Sequence, residues 1–374
     1  GLSFVNPDMT GGVDFSAGGF DALHGDKLSS VLNIEYRKPR PFEAGVGASF
    51  TGASAFVGSS NEKYSQLHGF RYKNAAFILG TLQTQAEYNP NFFDYQTYIT
   101  YKPHTDVELS FLGNISQNTY SFIPETRSTT FGSLNDIQNF TIYFDGQEKD
   151  VFRTFFGALS AKYQVNDKLN LGLTVSSFYT DERVNYDIEG EYWLNKVSSM
   201  DGSDSQQTGV GNYYEHARNT MSSVVAKVSH DGVYNFNENN DLKWGLEYVY
   251  ERVNEHVNEW ELRDSSGYSI PYTPDVNLYY KLTANNFLAE SKLRAYIQDT
   301  YRWHLNKGGM ISFTGGVRMN YWTFNNEFTV SPRVVIAYFP DIKPDIRFRF
   351  ATGLYYQSPT YKEIVDTITV GGVH

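Results

Sequence analysis

The sequence of 374 residues predicts an all-β fold, a transmembrane antiparallel β-barrel. Apolar and polar residues alternate with a period of two over most of the chain, as in strands with one face in lipid. Short turns alternate with long polar connections, as in outer-membrane barrels. The 29 Tyr and 27 Phe are abundant enough to supply aromatic girdles at both membrane interfaces.

The alternation is clearest in four segments, 93–101, 169–179, 287–305 and 346–356. In the second, Leu169, Leu171, Leu173 and Val175 alternate with Asn170, Gly172, Thr174 and Ser176. A strand of this kind averages to a neutral hydropathy, so a mean hydropathy of −0.45 does not exclude a membrane barrel. No stretch approaches the ~20 apolar residues that a membrane helix needs.

Turn signals divide the chain into paired strands. Short ones occur at KPHTD (102–106), VNDK (165–168), NENND (237–241), LNKGG (305–309) and PDIKPD (340–345), and a tight one at 323–328. The segments 117–150, 182–213 and 256–285 are long and polar, which predicts extracellular loops. This punctuation predicts about twelve strands. They are expected in pairs within 42–82, 92–122, 151–196, 213–258, 286–323 and 327–357.

The composition excludes several classes of function. A net charge of −11 argues against a nucleic-acid partner, since no basic stretch could neutralise a run of phosphates. The absence of cysteine excludes a disulfide framework and a thiolate metal site. The eight histidines are scattered, and no nucleophile elbow or phosphate-binding loop is present. We therefore predict no enzyme, no cofactor and no metal site.

Several long motifs resemble one family. GLSFVNPDM (1–9) and AGGFDALHGDKLSSVLNI (17–34) resemble the end of the plug domain of TonB-dependent outer-membrane receptors of the Bacteroidota type. The segments 70–103, 130–160, 325–340 and 351–364 look like barrel strands of that family. The resemblance implies the C-terminal part of a plug domain in 1–38 and the N-terminal part of a barrel in 39–374. A plugged transporter has about 22 strands, so we expect the chain to be a fragment.

The resemblance also implies a function. Such a receptor lies in the outer membrane, binds a solute such as a glycan, peptide or siderophore, and imports it actively. Its partners are outer-membrane lipid and the TonB–ExbB–ExbD energy-coupling complex, with a SusD-like surface lipoprotein or other outer-membrane subunits as further candidates. The alternative is a plugged barrel that serves as a structural or scaffold subunit without transport.

The long connections supply candidate ligand-binding residues, because aromatic and polar side chains together can bind sugars or peptides. These are Asn135, Asp136, Asp201, Asp204, Tyr213, Tyr214, Trp260 and Tyr268. The alternative is that they are solvated loop residues and girdle aromatics. A second prediction concerns Arg71, Arg294, Arg302, Arg318, Arg333, Arg347 and Arg349. If the alternation holds, most of these arginines face the lumen, where they would pair with plug acids such as Asp21 and Asp26.

Overall fold

The structure is a computed structural model that describes residues 4–365, apart from 80–85, 134–135, 198–203, 266, 268–270, 272–275, 307 and 344–345. For 77, 197 and 204–206 it describes the backbone alone. Almost all of the described chain is β-strand, arranged in a two-stranded and a 15-stranded sheet. The described helices are short, and none of them is long and apolar enough to cross a membrane.

The small sheet belongs to the N-terminal segment, defined here as residues 4–36. A 3₁₀ helix, Pro7–Met9, is capped by the Asn6 side chain, which accepts a hydrogen bond from the Asp8 amide at 3.0 Å. Strand β1 (Thr10–Ser16) then pairs antiparallel with β2 (Val31–Tyr36). Met9 and Phe20 of this segment are fully buried, so the core of the molecule lies between the segment and the large sheet.

The large sheet is an antiparallel meander in which the strands, apart from the short β6 and β9, pair in the order in which they follow one another along the chain. Its strands are β3 (Phe42–Ser49), β4 (Gly52–Ser60), β5 (Tyr64–Asn74), β6 (Ala86–Tyr88), β7 (Asn91–His104), β8 (Val107–Pro124), β9 (Arg127–Ser133), β10 (Asp136–Gln164), β11 (Leu169–Val197), β12 (Asp204–Asn237), β13 (Asn240–Asp264), β14 (Asn277–His304), β15 (Met310–Trp322), β16 (Glu327–Phe339) and β17 (Phe348–Gly353). Helix α1 (Ala76–Leu79) precedes β6, and α2 (Tyr361–Ile364) follows β17. The short strands β6 and β9 pair with β8 and β10. In the described chain, β3 and β17 form the edges of the sheet. The predicted all-β antiparallel fold is confirmed.

Two predictions of detail are wrong. The region 42–82 contains three strands rather than two, because β3 and β4 form a hairpin whose Gly-, Ala- and Ser-rich sequence lacks apolar alternation. The segments 117–150, 182–213 and 256–285, expected to be loops, are largely strand. Strands β10 and β11 have 29 residues each, and β12 has 34. Ladder hydrogen bonds hold these polar residues in strands without an apolar face.

The alternation divides each long strand into two parts. On the face turned away from the N-terminal segment, termed the outer face, β11 carries Leu171, Leu173, Val175 and Tyr179 and then Asp181 and Arg183. Strand β10 carries Phe155, Leu159 and Tyr163 on this face, with Arg153 and Lys149 farther along. The apolar part spans about nine residues, close to the 9–11 that a tilted strand needs to cross a bilayer. We call this part the belt.

Beyond the belt the strands continue out of the membrane. We call this part the extension: residues 136–154, 180–197, 204–222, 252–264 and 277–290 of β10 to β14. The short turns 165–168 and 238–239 lie at the opposite end of the same strands. The predicted contrast between short turns at one end of the strands and long connections at the other end is thus correct, but the long connections are built of paired strands.

Candidate functional site

The inner face of the large sheet holds the N-terminal segment at two places. The first is on β5 and β7, where Arg71 is buried beside Asp94. Arg71 Nε and Nη2 donate to the two Asp94 carboxylate oxygens at 2.8 and 2.5 Å, and Nη1 donates to the Val5 carbonyl oxygen at 2.8 Å. Gln96 Nε2 donates to the Phe4 carbonyl oxygen. A buried guanidinium is tolerated only when its donors are satisfied, so this pair needs the segment in place.

The second place is on β14 to β17. Arg294 forms ion pairs with Asp26 and, at 2.8 Å, with Glu247. Gln298 accepts a hydrogen bond from the Ala22 amide and donates to the Asp21 carboxylate, both at 3.0 Å.

Three further arginines donate to backbone carbonyl oxygens of the segment: Arg318 to Leu23 at 3.1 Å, Arg333 to Asp21 at 2.7 Å and Arg349 to Gly19 at 2.6 Å. The segment therefore spans the inner face between two distant parts of the sheet.

The prediction that most of the seven arginines face inward is confirmed. Arg71, Arg294, Arg318, Arg333 and Arg349 contact the N-terminal segment. Arg302 instead pairs with Asp241 at 2.5 Å, and the Arg347 guanidinium lies over the Phe339 ring. The expected pairing with Asp26 is present, whereas Asp21 receives its arginine hydrogen bond at the carbonyl oxygen. A guanidinium has five N–H donors and no acceptor, so these arginines can donate to the backbone carbonyl oxygens of the segment.

Residues 354–365, which follow β17, also lie on the inner face. The Tyr355 hydroxyl donates to the Phe20 carbonyl oxygen at 3.2 Å, and the Ser358 amide donates to the Asp26 carboxylate at 2.8 Å. The Tyr361 hydroxyl donates to Glu255 in the extension at 2.7 Å. This stretch thus connects the N-terminal segment to the extension.

The inner face of the extension forms an open pocket of about 940 Å³, termed the vestibule. It is lined by Phe140, Tyr192, Tyr213, Glu215, Glu261 and Arg263, among others. The rings of Phe140 and Tyr192 stack at 5.9 Å, and Tyr213 lies 5.8 Å from Tyr192. Burial, reinforced by the Glu215 carboxylate, raises the pKa of Tyr213 to about 12. A concave surface of stacked aromatics with charged groups suits a bound solute.

The outer face of the extension carries a different cluster. His216 and Tyr214 stack on the Trp260 ring at 4.7 and 5.3 Å. His216 Nδ1 lies 2.6 Å from the Asp187 carboxylate, which also binds Arg218. Burial opposes the charged carboxylate, but the hydrogen bonds from Arg218 and His216 hold the pKa of Asp187 below its usual value. The cluster is internally paired, which suits packing more than solute capture.

The eight predicted ligand residues are divided by the structure. Tyr213 lies in the vestibule, while its neighbour Tyr214 lies with Trp260 on the outer face. Asp136 is exposed at the start of β10, 3.4 Å from Lys196. Only the backbone of Asp204 is described, opposite Val197. Asn135, Asp201 and Tyr268 lie outside the described residues.

Sequence reasoning missed most of the vestibule. Phe140, Tyr192 and Glu261 lie in strands within segments predicted to be loops, and Glu215 lies in the predicted strand region 213–258 but was not among the candidate residues. The sequence feature that could have revealed these residues is the alternation of aromatic side chains along the segments. Within the described ranges, no group of three or more His, Asp or Glu residues is placed to hold a metal ion.

An antiparallel sheet with an apolar outer belt and a filled inner face defines a membrane β-barrel protein. The family described as "TonB dependent receptor-like, beta-barrel" matches residues 87–372, roughly three quarters of the chain. The chain therefore belongs to this family of TonB-dependent receptor-like barrels. No curated protein matches the sequence.

Three solved structures match this chain at low sequence identity and low structural similarity. The CymD monoaromatic hydrocarbon channel is 15% identical, with 84% of this chain and 81% of that chain covered and a TM-score of 0.30. The toluene transporter TbuX of Ralstonia pickettii is 11% identical, with 91% and 79% covered and a TM-score of 0.33. The toluene transporter TodX of Pseudomonas putida is 12% identical, with 84% and 79% covered and a TM-score of 0.26. Likeness of this degree supports no argument about the solute.

Proposed function

We propose that this chain belongs to an outer-membrane receptor that binds a solute in the vestibule and imports it with energy from TonB–ExbB–ExbD. The observation that carries the proposal is the N-terminal segment, held across the inner face by five arginines. A barrel of many strands leaves an open aqueous lumen unless something fills it. In this proposal the segment is the end of the plug and has no catalytic role.

The contacts suit a plug that must move. Most of them are single hydrogen bonds from a barrel side chain to a backbone carbonyl oxygen. Each such bond to a charged donor contributes about 1.5–3 kcal/mol, so a pulling force can break them one after another.

The remaining assignments follow from the same proposal. The plug occupies 1–38 and the barrel begins at 39, three residues before β3 starts at Phe42. The receptor is of the Bacteroidota type and lies in the outer membrane. Since such receptors work with surface lipoproteins, we propose a SusD-like lipoprotein over the extension as a further partner.

The test is solute accumulation in cells that express the intact receptor, with functional or deleted TonB. Radiolabelled maltohexaose, a labelled tripeptide and a labelled ferric catecholate cover the three solute classes. Accumulation of at least one probe should require both the receptor and TonB. Accumulation that is the same without TonB would contradict active import.

A scaffold subunit is the second candidate, favoured by the outer-face cluster around Trp260. That cluster lies beyond the belt, where another outer-membrane subunit could pack against it. A scaffold would retain its partners in pull-downs from detergent-solubilised membranes while no probe depends on TonB. With an importer, accumulation of at least one probe would depend on TonB.

A further inference from the structure

We propose that the inner face of the extension carries a site for an organic cation, formed by the carboxylates of Glu148 and Asp150 within an aromatic wall. The proposal rests on the proposed import function and names its substrate class: a solute with an ammonium or guanidinium group and an apolar body. The site lies next to the vestibule, and nothing in the family's match identifies it.

The two carboxylates are placed together by the register of β10. Glu148 and Asp150 are two residues apart and therefore share the inner face. Glu148 lies opposite Phe122 of β8 and Tyr186 of β11. Asp150 lies opposite Tyr120 on β8. Directly opposed side chains in a sheet are about 4.5–5.5 Å apart at Cβ, so Glu148 stands between two aromatic rings and Asp150 between Tyr120 and Val184.

A fourth ring extends this wall. Tyr88 of β6 packs 5.2 Å from the Phe122 ring and 6.4 Å from the Tyr120 ring. Aromatic faces attract a cation within about 6 Å of the ring centre, and carboxylates add the opposite charge. Together they form the combination that recognises an ammonium group on an apolar body.

Within the described part of the protein, the two carboxylates have no cationic partner. Asp150 is 8% exposed, and its Oδ1 atom has no hydrogen-bond partner there, while the carboxylate is also hydrogen-bonded to the Glu148 side chain and to the Asn185 backbone. Among the described lysines, arginines and histidines, none forms an ion pair with Glu148 or Asp150. Lys149 between them is exposed on the other face of the strand. A buried carboxylate without a cationic partner is costly, and a bound cation would reduce that cost.

Other buried acids of the inner face contrast with this pair. Asp94 is bound by Arg71, Glu247 by Arg294, and Glu290 by Lys292 at 3.0 Å. In these three cases the chain itself supplies a cation to a structural acid. Glu148 and Asp150 are left for a cation from outside. A divalent metal fits less well, because the described residues offer no group of three acidic or histidine ligands there.

The charge of the site depends on pH. The groups that face Glu148 are Asp150 on its own strand, Tyr88 and Tyr120 from β6 and β8, Tyr186 from β11 and Glu215 from β12. Burial, with the neighbouring Asp150 carboxylate, raises the pKa of Glu148 to about 7. Burial likewise raises the pKa of Asp150. Cation affinity should therefore be highest above pH 7 and fall as the pH drops below about 6.

The experiment compares two matched probes, phenethylammonium and the neutral 2-phenylethanol, in calorimetric titrations of the intact receptor in detergent, with empty micelles as the blank. At pH 8 the cation should bind at least about tenfold more tightly than the alcohol, a difference of about 1.4 kcal/mol. Glu148→Gln and Asp150→Asn should each abolish this preference. Asp145→Asn, at an exposed acid on the outer face of the same strand, should leave it unchanged.

Two results would overturn the inference: equal affinity for the two probes, or a preference that persists in both site variants. Both substitutions are nearly isosteric, and the tryptophan emission and unfolding of each variant verify that it is folded. Binding to purified receptor needs no TonB. A loss of cation preference and a failure of TonB-dependent import are therefore separate outcomes.

Discussion

Arg294 of β14 and Asp26 of the N-terminal segment form an ion pair although 268 residues separate them. The same Asp26 accepts a hydrogen bond from the Ser358 amide at 2.8 Å. Its φ of +57° places it in the left-handed region, which residues other than glycine rarely adopt. One residue thus connects the segment, the barrel wall and the stretch after β17, so it is a natural point at which to test how the lumen is held shut.

Replacing Arg294 should loosen that closure. Arg294→Gln removes the ion pairs with Asp26 and Glu247. Loss of the Asp26 pair costs about 1–2 kcal/mol at this partly exposed site, which raises the open population about 5–30-fold. We expect more frequent openings in planar bilayers with KCl as the permeant salt. Arg302→Gln is the control, since Arg302 lies on the same strand and pairs with Asp241 instead. Equal opening frequencies in the two variants would contradict the role given to Arg294.

The belt predicts that an arginine destabilises the protein to very different extents at two neighbouring residues of β11. Val175 lies on the outer face and Ser176 on the inner face of β11. An arginine on the lipid face near the bilayer midplane costs about 2–4 kcal/mol, whereas lumen-facing substitutions cost far less. Val175→Arg should therefore lower the free energy of unfolding, measured by urea titration in lipid vesicles, much more than Ser176→Arg. The reverse order would mean that the two faces of β11 have been interchanged.

Glu148 should make stability depend on pH. Its folded-state pKa of about 7 lies above the ordinary value of 4.5, so the folded state binds more protons than the unfolded state between these values. Stability from this group is present below pH 4.5 and is lost as the pH rises to about 7. Glu148→Gln should match the native protein near pH 4.5 and unfold at a higher temperature than the native protein at about pH 8. Asp145→Asn serves as the control and should show no such trend; a trend of the same size there would refute the assignment.

Tyr213 and Tyr214 should differ in solute uptake. Tyr213 lines the vestibule, while Tyr214 packs on Trp260 at the outer face. Loss of an aromatic ring that contacts the solute costs about 0.5–1.5 kcal/mol or more. For a probe that accumulates in a TonB-dependent manner, Tyr213→Ala should raise the half-saturating concentration at least about threefold, and Tyr214→Ala should leave it unchanged. An effect of Tyr214→Ala alone would move the solute to the outer face.

Much of the fold is readable from the sequence because a membrane barrel imposes a simple rule on its strands. Where lipid lies on one side, as at Leu171 to Tyr179, apolar residues occupy most of the alternate positions, with Ser177 as the exception on this face. The same rule predicts that Arg294 and Arg318 face inward, and their contacts confirm it. Beyond the belt both faces of the strands contact water, so apolar and polar residues need not alternate. The sequence of the extension therefore resembles that of polar loops.

The candidate site was harder to predict for the same reason. In a strand, neighbours such as Tyr213 and Tyr214 point to opposite faces, so a pair of adjacent aromatics does not form one site. The pairing of β11 with β12 also shifts register between Tyr192 and Trp193. Such bulges change which residues share a face, and composition gives no sign of them. The acid pair Glu148 and Asp150 becomes visible only once Tyr120 and Tyr186 are paired beside it.

The most direct test of the account fixes the N-terminal segment to the barrel wall. An ideal Cβ at Gly69 lies 3.2 Å from Met9 Cγ, close to the position that the sulfur introduced by Met9→Cys would take. This is near the separation of about 3 Å between Cβ and the far sulfur of a disulfide. Once the methionine side chain is replaced, the Asn6 amide is the remaining close neighbour that has to move aside. The 374 residues contain no cysteine, so Met9→Cys with Gly69→Cys creates a single pair within them.

The measurement is TonB-dependent accumulation of a probe by this double variant, with and without reductant, and with Met9→Cys alone as the control. Because the proposed import requires the segment to leave the lumen wall, the oxidised double variant should import nothing above the level without TonB. Reductant should restore uptake to that of the single variant. Undiminished uptake by receptor that is fully cross-linked would contradict the account.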